Sequence, residues 1–380
     1  MKRVYWRPPG VSRPALVMIA LVAVISLLAV ERFPVVRRQR WYGEKLAASR
    51  LSLDAMKAIK TERLKRGYVI DPEADPHQTG LLGFPITPIT SNTGYLDAKR
   101  ASTNPNFAAV LVHMLKRAGV ESGDTVAVGV SGSFPALCIS AFAAMQTLEL
   151  HPIVVASVSG SEWGANDPSL TWIDMEHLLY DKGFFSFRSV AASRGGIDDR
   201  GFGLSKEGRG LIDAAIDRNG LERVDSSSLV DAIERRMQIY DSKAGNHPIK
   251  AYINVGGGSA SVGTHVGKKQ FHPGLNLEPP RGEGIVDSVM LRYSERGVPV
   301  IHLSSIAHIA KQYGIRADSD ASPKIGEGAV YSKAEYNRWL AGGGVLLVLF
   351  VMLAFIRLDV GLRILRVRRK DKGKQPQQMV

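Results

Sequence analysis

Four apolar runs in this chain each hand over to a cluster of serine and glycine: TVAVGV-SGS (125–133), PIVVASV-SGS (152–161), AYINV-GGGSAS (251–261) and VPVIHL-SS (298–305). Apolar, β-branched runs without alternation suit strands buried on both faces, and such strands belong to parallel sheets flanked by helices. The carboxyl ends of parallel strands share one edge, and ligands bind in the crevice beyond it. Small hydroxyl-bearing turns on several strands are therefore expected to converge there. The expected fold is α/β, a mostly parallel sheet with helices on both faces.

Two further runs flank this pattern. Residues 14–30 form a 17-residue uncharged stretch and residues 339–356 an 18-residue one. Each reaches the length of a spanning helix, about 17–25 residues. The first follows a basic segment (Lys2, Arg3, Arg7, Arg13) but leads into LLAVERF, without a small-x-small cleavage pattern, so an anchor is expected rather than a signal peptide. The formal net charge is +13, of which +4 lies in residues 1–30 and +6 in residues 339–380, leaving +3 for the centre. The basic excess flanks the apolar segments, and no nucleic-acid partner is expected. Arg357, Arg363, Arg366, Arg368, Arg369, Lys370, Lys372 and Lys374 follow the second run, which implies a cytoplasmic C-terminus. Two spans then place the N-terminus inside as well.

The expected organisation is a cytoplasmic N-terminus (1–13), a transmembrane helix (14–30), a stalk helix with a turn-rich linker (31–94), an extracytoplasmic α/β domain (95–338), a second transmembrane helix (339–356) and a basic cytoplasmic tail (357–380). The linker assignment rests on Pro72, Pro76, Pro85 and Pro88, which forbid a long helix. Helices are expected after Asn104-Pro105, after Ser133-Phe134-Pro135, and over 211–217, 228–240, 286–296 and 305–313. The lone cysteine, Cys138, lies in an apolar helical pattern and reads as an inert buried thiol.

The stretches TNPNFAAVLVHMLKRAG (103–119), VGVSGSFPAL (128–137) and SGSEWGANDPSLTWIDME (159–176) carry a resemblance. Together they resemble the bacterial poly-gamma-glutamate system protein, a membrane-associated family found alongside the poly-gamma-glutamate ligase and its small membrane partner. SEWGANDP is the most distinctive part. The resemblance implies a role in making or exporting an anionic glutamate polymer at the cell envelope. The implied partners are poly-gamma-glutamate synthase membrane subunits, the polymer itself and the lipid bilayer. It implies no reaction mechanism.

Two readings of the residues stay open. In one, the strand-to-helix turn around Ser131 acts as a nucleophile elbow, with His302 or His308 as base and Asp174 or Asp167 orienting it. The hydrolase pattern Gly-x-Ser-x-Gly is incomplete, because Ser133 stands at its last position. In the other, serine hydroxyls and exposed backbone amides bind carboxylate. The residues expected to line such a site are Ser131, Gly132, Ser133, Ser159, Ser161, Asn166, Asp167, Asn254, Gly256, Gly257, Gly258 and Ser259, with Arg194, Arg200 and Arg209 adding positive charge. A bland alternative for Ser133 is a helix cap. No P-loop or Gly-x-Gly-x-x-Gly signature fits, and no cofactor is expected. Asp174 and His177 share a helix face, but no His-Glu-x-x-His or cysteine cluster accompanies them, and no metal site is expected.

Overall fold

The computed structural model describes residues 13–256, 258–316 and 323–357. In chain order the first elements are α1 (Arg13–Arg32), β1 (Val35–Arg38), α2 (Tyr42–Lys65), α3 (Leu96–Ser102), α4 (Phe107–Arg117), β2 (Thr125–Ser131), α5 (Pro135–Thr147) and β3 (His151–Ser157). There follow α6 (Trp172–Asp181), β4 (Ser189–Ser193), α7 (Lys206–Arg218), β5 (Glu222–Arg223), α8 (Leu229–Ala244) and β6 (Ile249–Val255). The last are α9 (Ser259–Val262), α10 (His265–Gln270), β7 (Gly274–Asn276), α11 (Val289–Glu295), β8 (Val300–Leu303), α12 (Ile306–Gln312), β9 (Ser332–Glu335) and α13 (Arg338–Arg357). The chain divides into a terminal unit, Met1–Arg37 with Lys333–Val380, and a central unit, Arg38–Ser332.

The central unit is built on a seven-stranded sheet in the order β5-β4-β3-β2-β6-β8-β7. Every neighbouring pair is parallel except β7 against β8. All seven residues of β2 are buried, as a central strand of an α/β sheet demands. Successive side chains point to opposite faces. Accordingly Val126, Val128 and Val130 enter one core with α2, α4, α5 and α6, while Ala127 enters another with α8, α9 and α11. The expected α/β class, with helices on both faces, is the observed one.

The helix α2 is not a stalk. Its buried positions, Lys45, Ala48, Ser49, Ser52, Ala55, Met56, Ile59 and Arg63, form a stripe at helical spacing. That stripe packs in the first core, and Ser52 Oγ meets Ser140 Oγ of α5 at 3.1 Å. The helix α5 therefore lies between sheet and α2, which is why it is apolar all round. Small residues make this face of α2 weakly hydrophobic, and the chain around it reads as polar.

The turn-rich stretch after α2 belongs to the domain too, so the boundary expected near residue 95 is corrected to Arg38. Its backbone runs beside the SEWGANDP segment: Gly83 N donates to Trp163 O at 3.1 Å, Trp163 N to Phe84 O at 2.9 Å, and Ser91 N to Gly160 O at 2.8 Å. Arg63 Nη1 donates to the carbonyls of Gly80 and Leu82 at 2.7 and 2.6 Å. Prolines prevent regular structure here, and hydrogen bonds to the neighbouring loop order the segment instead.

In the terminal unit β1 and β9 pair as a two-stranded ladder. The helices α1 and α13 are 20 residues each and long and apolar enough to span a membrane. At 1.5 Å per residue each reaches about 30 Å, the thickness of a bilayer's hydrocarbon core. They approach closely where Gly344 faces Ser26: a Cβ on the glycine would lie 3.0 Å from the serine Cβ. Of the expected N-terminal segment (1–13), residues 1–12, and of the expected tail (357–380), residues 358–380, lie outside the described residues.

Candidate functional site

Three adjacent parallel strands end in serines that stand in register: Ser131 of β2 opposite Ser157 of β3, and Ser157 opposite Ser193 of β4. Beyond this row a cavity of ≈ 150 Å³ opens at the carboxyl edge of the sheet. Its hydroxyls come from Ser131, Ser133, Ser157, Ser159 and Ser259. Backbone at Gly196, Gly256 and Gly258 completes the wall, with Ser91 and Asn92 from the stretch after α2.

Two glycines are required by this closeness. Gly256 has φ +88°, and a Cβ there would lie 2.6 Å from Ser131 Oγ. Gly195 has φ +73°, and its Cβ would lie 2.5 Å from Ser159 Oγ. Both backbones reach the serines only because no side chain intervenes.

Beneath the serine row lies a buried ion pair. Arg236, from α8, donates through Nε to Asp199 Oδ2 at 2.8 Å, and both side chains are essentially inaccessible. Asp199 Oδ1 accepts from Ser157 Oγ at 3.0 Å and Ser193 Oγ at 2.7 Å, while Arg236 Nη2 donates to the same two hydroxyls at 2.9 and 2.8 Å. The pair's charges and lone pairs are thus matched within the protein, as burial requires. Asp199 holds this position with φ 62°, next to Asp198 at φ 57°.

A second buried cation lies behind Ser133. Lys99 of α3 is 3 % exposed. Its Nζ donates to Ser161 Oγ at 2.7 Å and to the carbonyl of Ser133, and lies 4.1 Å from the centre of the Phe134 ring. No carboxylate lies within ion-pair distance of it among the described residues. Burial pushes its pKa down to about 7. Ser161 N in turn donates to Ser133 Oγ at 3.1 Å, so the ammonium, Ser161 and the cavity wall are linked by hydrogen bonds.

Not every expected residue joins this site. Ser131 ends β2 in extended backbone, without the strained turn of a nucleophile elbow. His302 is buried on β8, with Nδ1 2.9 Å from Asn254 Nδ2, and both lie outside the cavity. Burial lowers the imidazole pKa to about 4. Asp174 closes the capping box of α6 with Thr171 and pairs with Arg218. Burial opposes its ionisation, yet hydrogen bonds from Arg218, Thr171 and Asn219 hold its carboxyl below the usual range. Ser131, His302 and Asp174 therefore form no triad, and the Asp174–His177 pair offers no free carboxylate for a metal. No group of three or more metal-ligating side chains occurs among the described residues.

Within SEWGANDP, Asn166 and Asp167 are structural. Asn166 accepts from Phe84 N at 2.9 Å and donates to Phe84 O at 2.8 Å and Thr90 Oγ1 at 3.0 Å. Asp167 forms a turn by accepting from Ser169 N at 2.9 Å. Gly132 brings two turns together, since a Cβ there would lie 2.6 Å from Val158 O. Ser133 does not cap α5: its hydroxyl accepts from Ser161, while Ser133 N donates to Ser131 Oγ at 3.2 Å. Cys138 is buried, and burial raises its thiol pKa. Gly257 lies outside the described residues.

The fourth expected arm, the serines after β8, is absent from the cavity; the loop after β4 takes its place. Lys99, Asp199, Ser157 and Arg236 were not among the expected residues. The serine ending the second apolar run was the available signal for Ser157, and the paired Asp198-Asp199 between glycines for the loop. Arg194, Arg200 and Arg209 line a different cavity.

Chemically, the site offers several hydroxyl donors around a small volume with a protonatable amine behind them. One hydroxyl, Ser159 Oγ, is buried and has no hydrogen-bond partner. An unsatisfied buried hydroxyl facing a cavity fits an acceptor supplied by a ligand. The chain matches no protein-family model, no curated protein and no solved structure.

Proposed function

We propose that this chain is a membrane-anchored accessory protein of poly-gamma-glutamate synthesis or export, whose α/β domain binds a carboxylate of the polymer in the serine cavity. The observation that carries the reading is Ser159 Oγ, buried and unpartnered in a hydroxyl-lined cavity, with Lys99 held behind its wall at Ser133. Hydroxyls donate to carboxylate, and the ammonium supplies the opposite charge. The motif resemblance over residues 103–176 supports the choice of polymer. At ≈ 150 Å³ the cavity suits one glutamyl end and not a folded chain. In this reading α1 and α13 cross the plasma membrane, both termini are cytoplasmic, and the domain faces outward toward the synthase membrane subunits.

The test is calorimetric titration of the full chain in nanodiscs with γ-linked glutamate oligomers across a salt series. Saturable binding that weakens with salt, and is lost on Ser159→Ala with Lys99→Met, is expected. Absence of binding at the lowest salt overturns the reading.

One contact favours a second reading, an envelope serine hydrolase or transferase. Lys99 Nζ lies 2.7 Å from Ser161 Oγ, the arrangement of an amine base and a serine nucleophile. Ser161 is 5 % exposed, so attack requires local opening. A fluorophosphonate probe decides: labelling lost in Ser161→Ala supports the enzyme, and no labelling of the native chain removes it.

A further inference from the structure

The loop between β4 and α7 walls a second cavity. Gly196 and Ile197 line the serine cavity, whereas Arg194, Arg200 and Phe202 line one of ≈ 230 Å³ with Arg209, Asp225 and Ser226. The arginines there differ in commitment. Arg194 is held bidentately by Asp213 at 2.7 and 2.8 Å. Arg200 lies over the Phe202 ring at 4.4 Å, and Arg209 donates to Leu204 O at 2.7 Å. Neither Arg200 nor Arg209 has a carboxylate within ion-pair distance among the described residues. Asp199 also reaches this cavity, but its charge is matched by Arg236. Two guanidinium groups without a carboxylate partner thus share the cavity with Asp225, whose charge also acts on Arg194, leaving a net positive charge. Ser226 Oγ, buried in the same wall, has no hydrogen-bond partner.

The two cavities are joined by backbone. Gly195, whose Cβ would touch Ser159 Oγ, forms a bridge with Arg200, and Gly201 N donates to Gly195 O at 2.6 Å. Bridged backbones lie about 4.8 Å apart, so the backbone beside Ser159 and that of Arg200 are tied together within a single loop. Consecutive left-handed residues, Asp198 and Asp199, fold the loop back on itself to place them so.

We propose that Arg200, Arg209 and Ser226 form a second oxyanion subsite, which takes a further carboxylate of the chain whose end enters the serine cavity. This rests on the carboxylate reading of that cavity. Planar guanidinium groups match carboxylate and phosphate oxygens alike. Inorganic phosphate therefore probes the arginine subsite by itself, and the glutamate oligomers probe the pair of sites.

The experiment uses the full chain in nanodiscs, native and with Arg200→Gln plus Arg209→Gln, and compares single glutamate, a γ-linked tetramer and inorganic phosphate by calorimetry. Melting temperature controls for folding, and Arg200→Lys plus Arg209→Lys tests whether charge alone restores binding. The native chain is expected to bind the tetramer at least roughly tenfold tighter than glutamate, and the Gln variant to lose that gain along with phosphate binding. A native affinity independent of length, or a gain that survives in the Gln variant, overturns the linked-site proposal. Should neither glutamate ligand bind the native chain, the serine-cavity reading falls. Phosphate then judges the arginine subsite separately: binding lost in the Gln variant supports it, and no binding overturns it.

Discussion

Lys99 and Ser161 meet at 2.7 Å in a site where no carboxylate lies within ion-pair distance of the ammonium among the described residues. The pKa of Lys99 falls from 10.5 to about 7 on folding, through burial. Between these values the unfolded chain binds more protons than the folded one, so stability rises with pH across that window and carries the full penalty below it. Lys99→Met is expected to flatten the slope and to stabilise the chain near pH 6 by several kcal/mol at most, on the order of 1.4 kcal/mol per pKa unit. Urea denaturation from pH 6 to 10 measures it. Carboxylate binding should run the opposite way, fading as pH climbs past 7, because the ligand needs the ammonium.

Glu176 provides a contrasting pH signature. Burial raises its pKa from 4.5 to about 7, although Ser189 N and Oγ donate to it at 2.7 and 2.9 Å. Here the folded chain holds the extra proton, so stability falls as pH rises from 4.5 to 7. Glu176→Gln should remove that dependence while leaving glutamate binding intact, since Glu176 lies outside the cavity. A variant that loses ligand affinity in step with stability would contradict this placement.

For the buried pair, Asp199→Asn leaves Arg236 charged and unmatched. A loss of about 3–5 kcal/mol is expected. Adding Arg236→Met should recover part of it, because the unpaired charge is then gone. A loss in the double variant equal to the sum of the losses of Asp199→Asn and Arg236→Met alone, read from chemical unfolding, would show that the two side chains act independently.

Gly256→Ala places a Cβ against Ser131 Oγ at φ +88°. Backbone strain of this kind costs about 1–3 kcal/mol. The same methyl invades the cavity, so oligoglutamate binding should disappear even where the protein remains folded. Coupling it with Ser131→Gly relieves the contact but not the torsion. The double variant is expected to regain part of the binding at reduced stability, short of the native affinity because one cavity hydroxyl is gone.

The sheet edge was legible because β2, β3 and β6 are long enough to show unbroken apolar runs. By contrast β4, Ser189–Ser193, is a five-residue SVAAS segment with no β-branched series, so it carries no strand signature in the sequence though it supplies the loop that closes the site. The serines after β8 carried the same signature as the others. Strand order decides their fate: β8 stands beyond β6, and its turn opens elsewhere. Lys99 sits in a seven-residue helix where composition says nothing of burial. Its significance comes from what surrounds it in space. Asp174 shows the converse, a carboxylate in a promising motif that is wholly occupied in capping a helix and pairing with Arg218.

The amide of Gln39 donates to the carbonyl of Tyr331 at 2.8 Å, so the first and last segments of the central unit meet. A module whose two ends touch can be spliced out, or grafted between other helices, through one short joint.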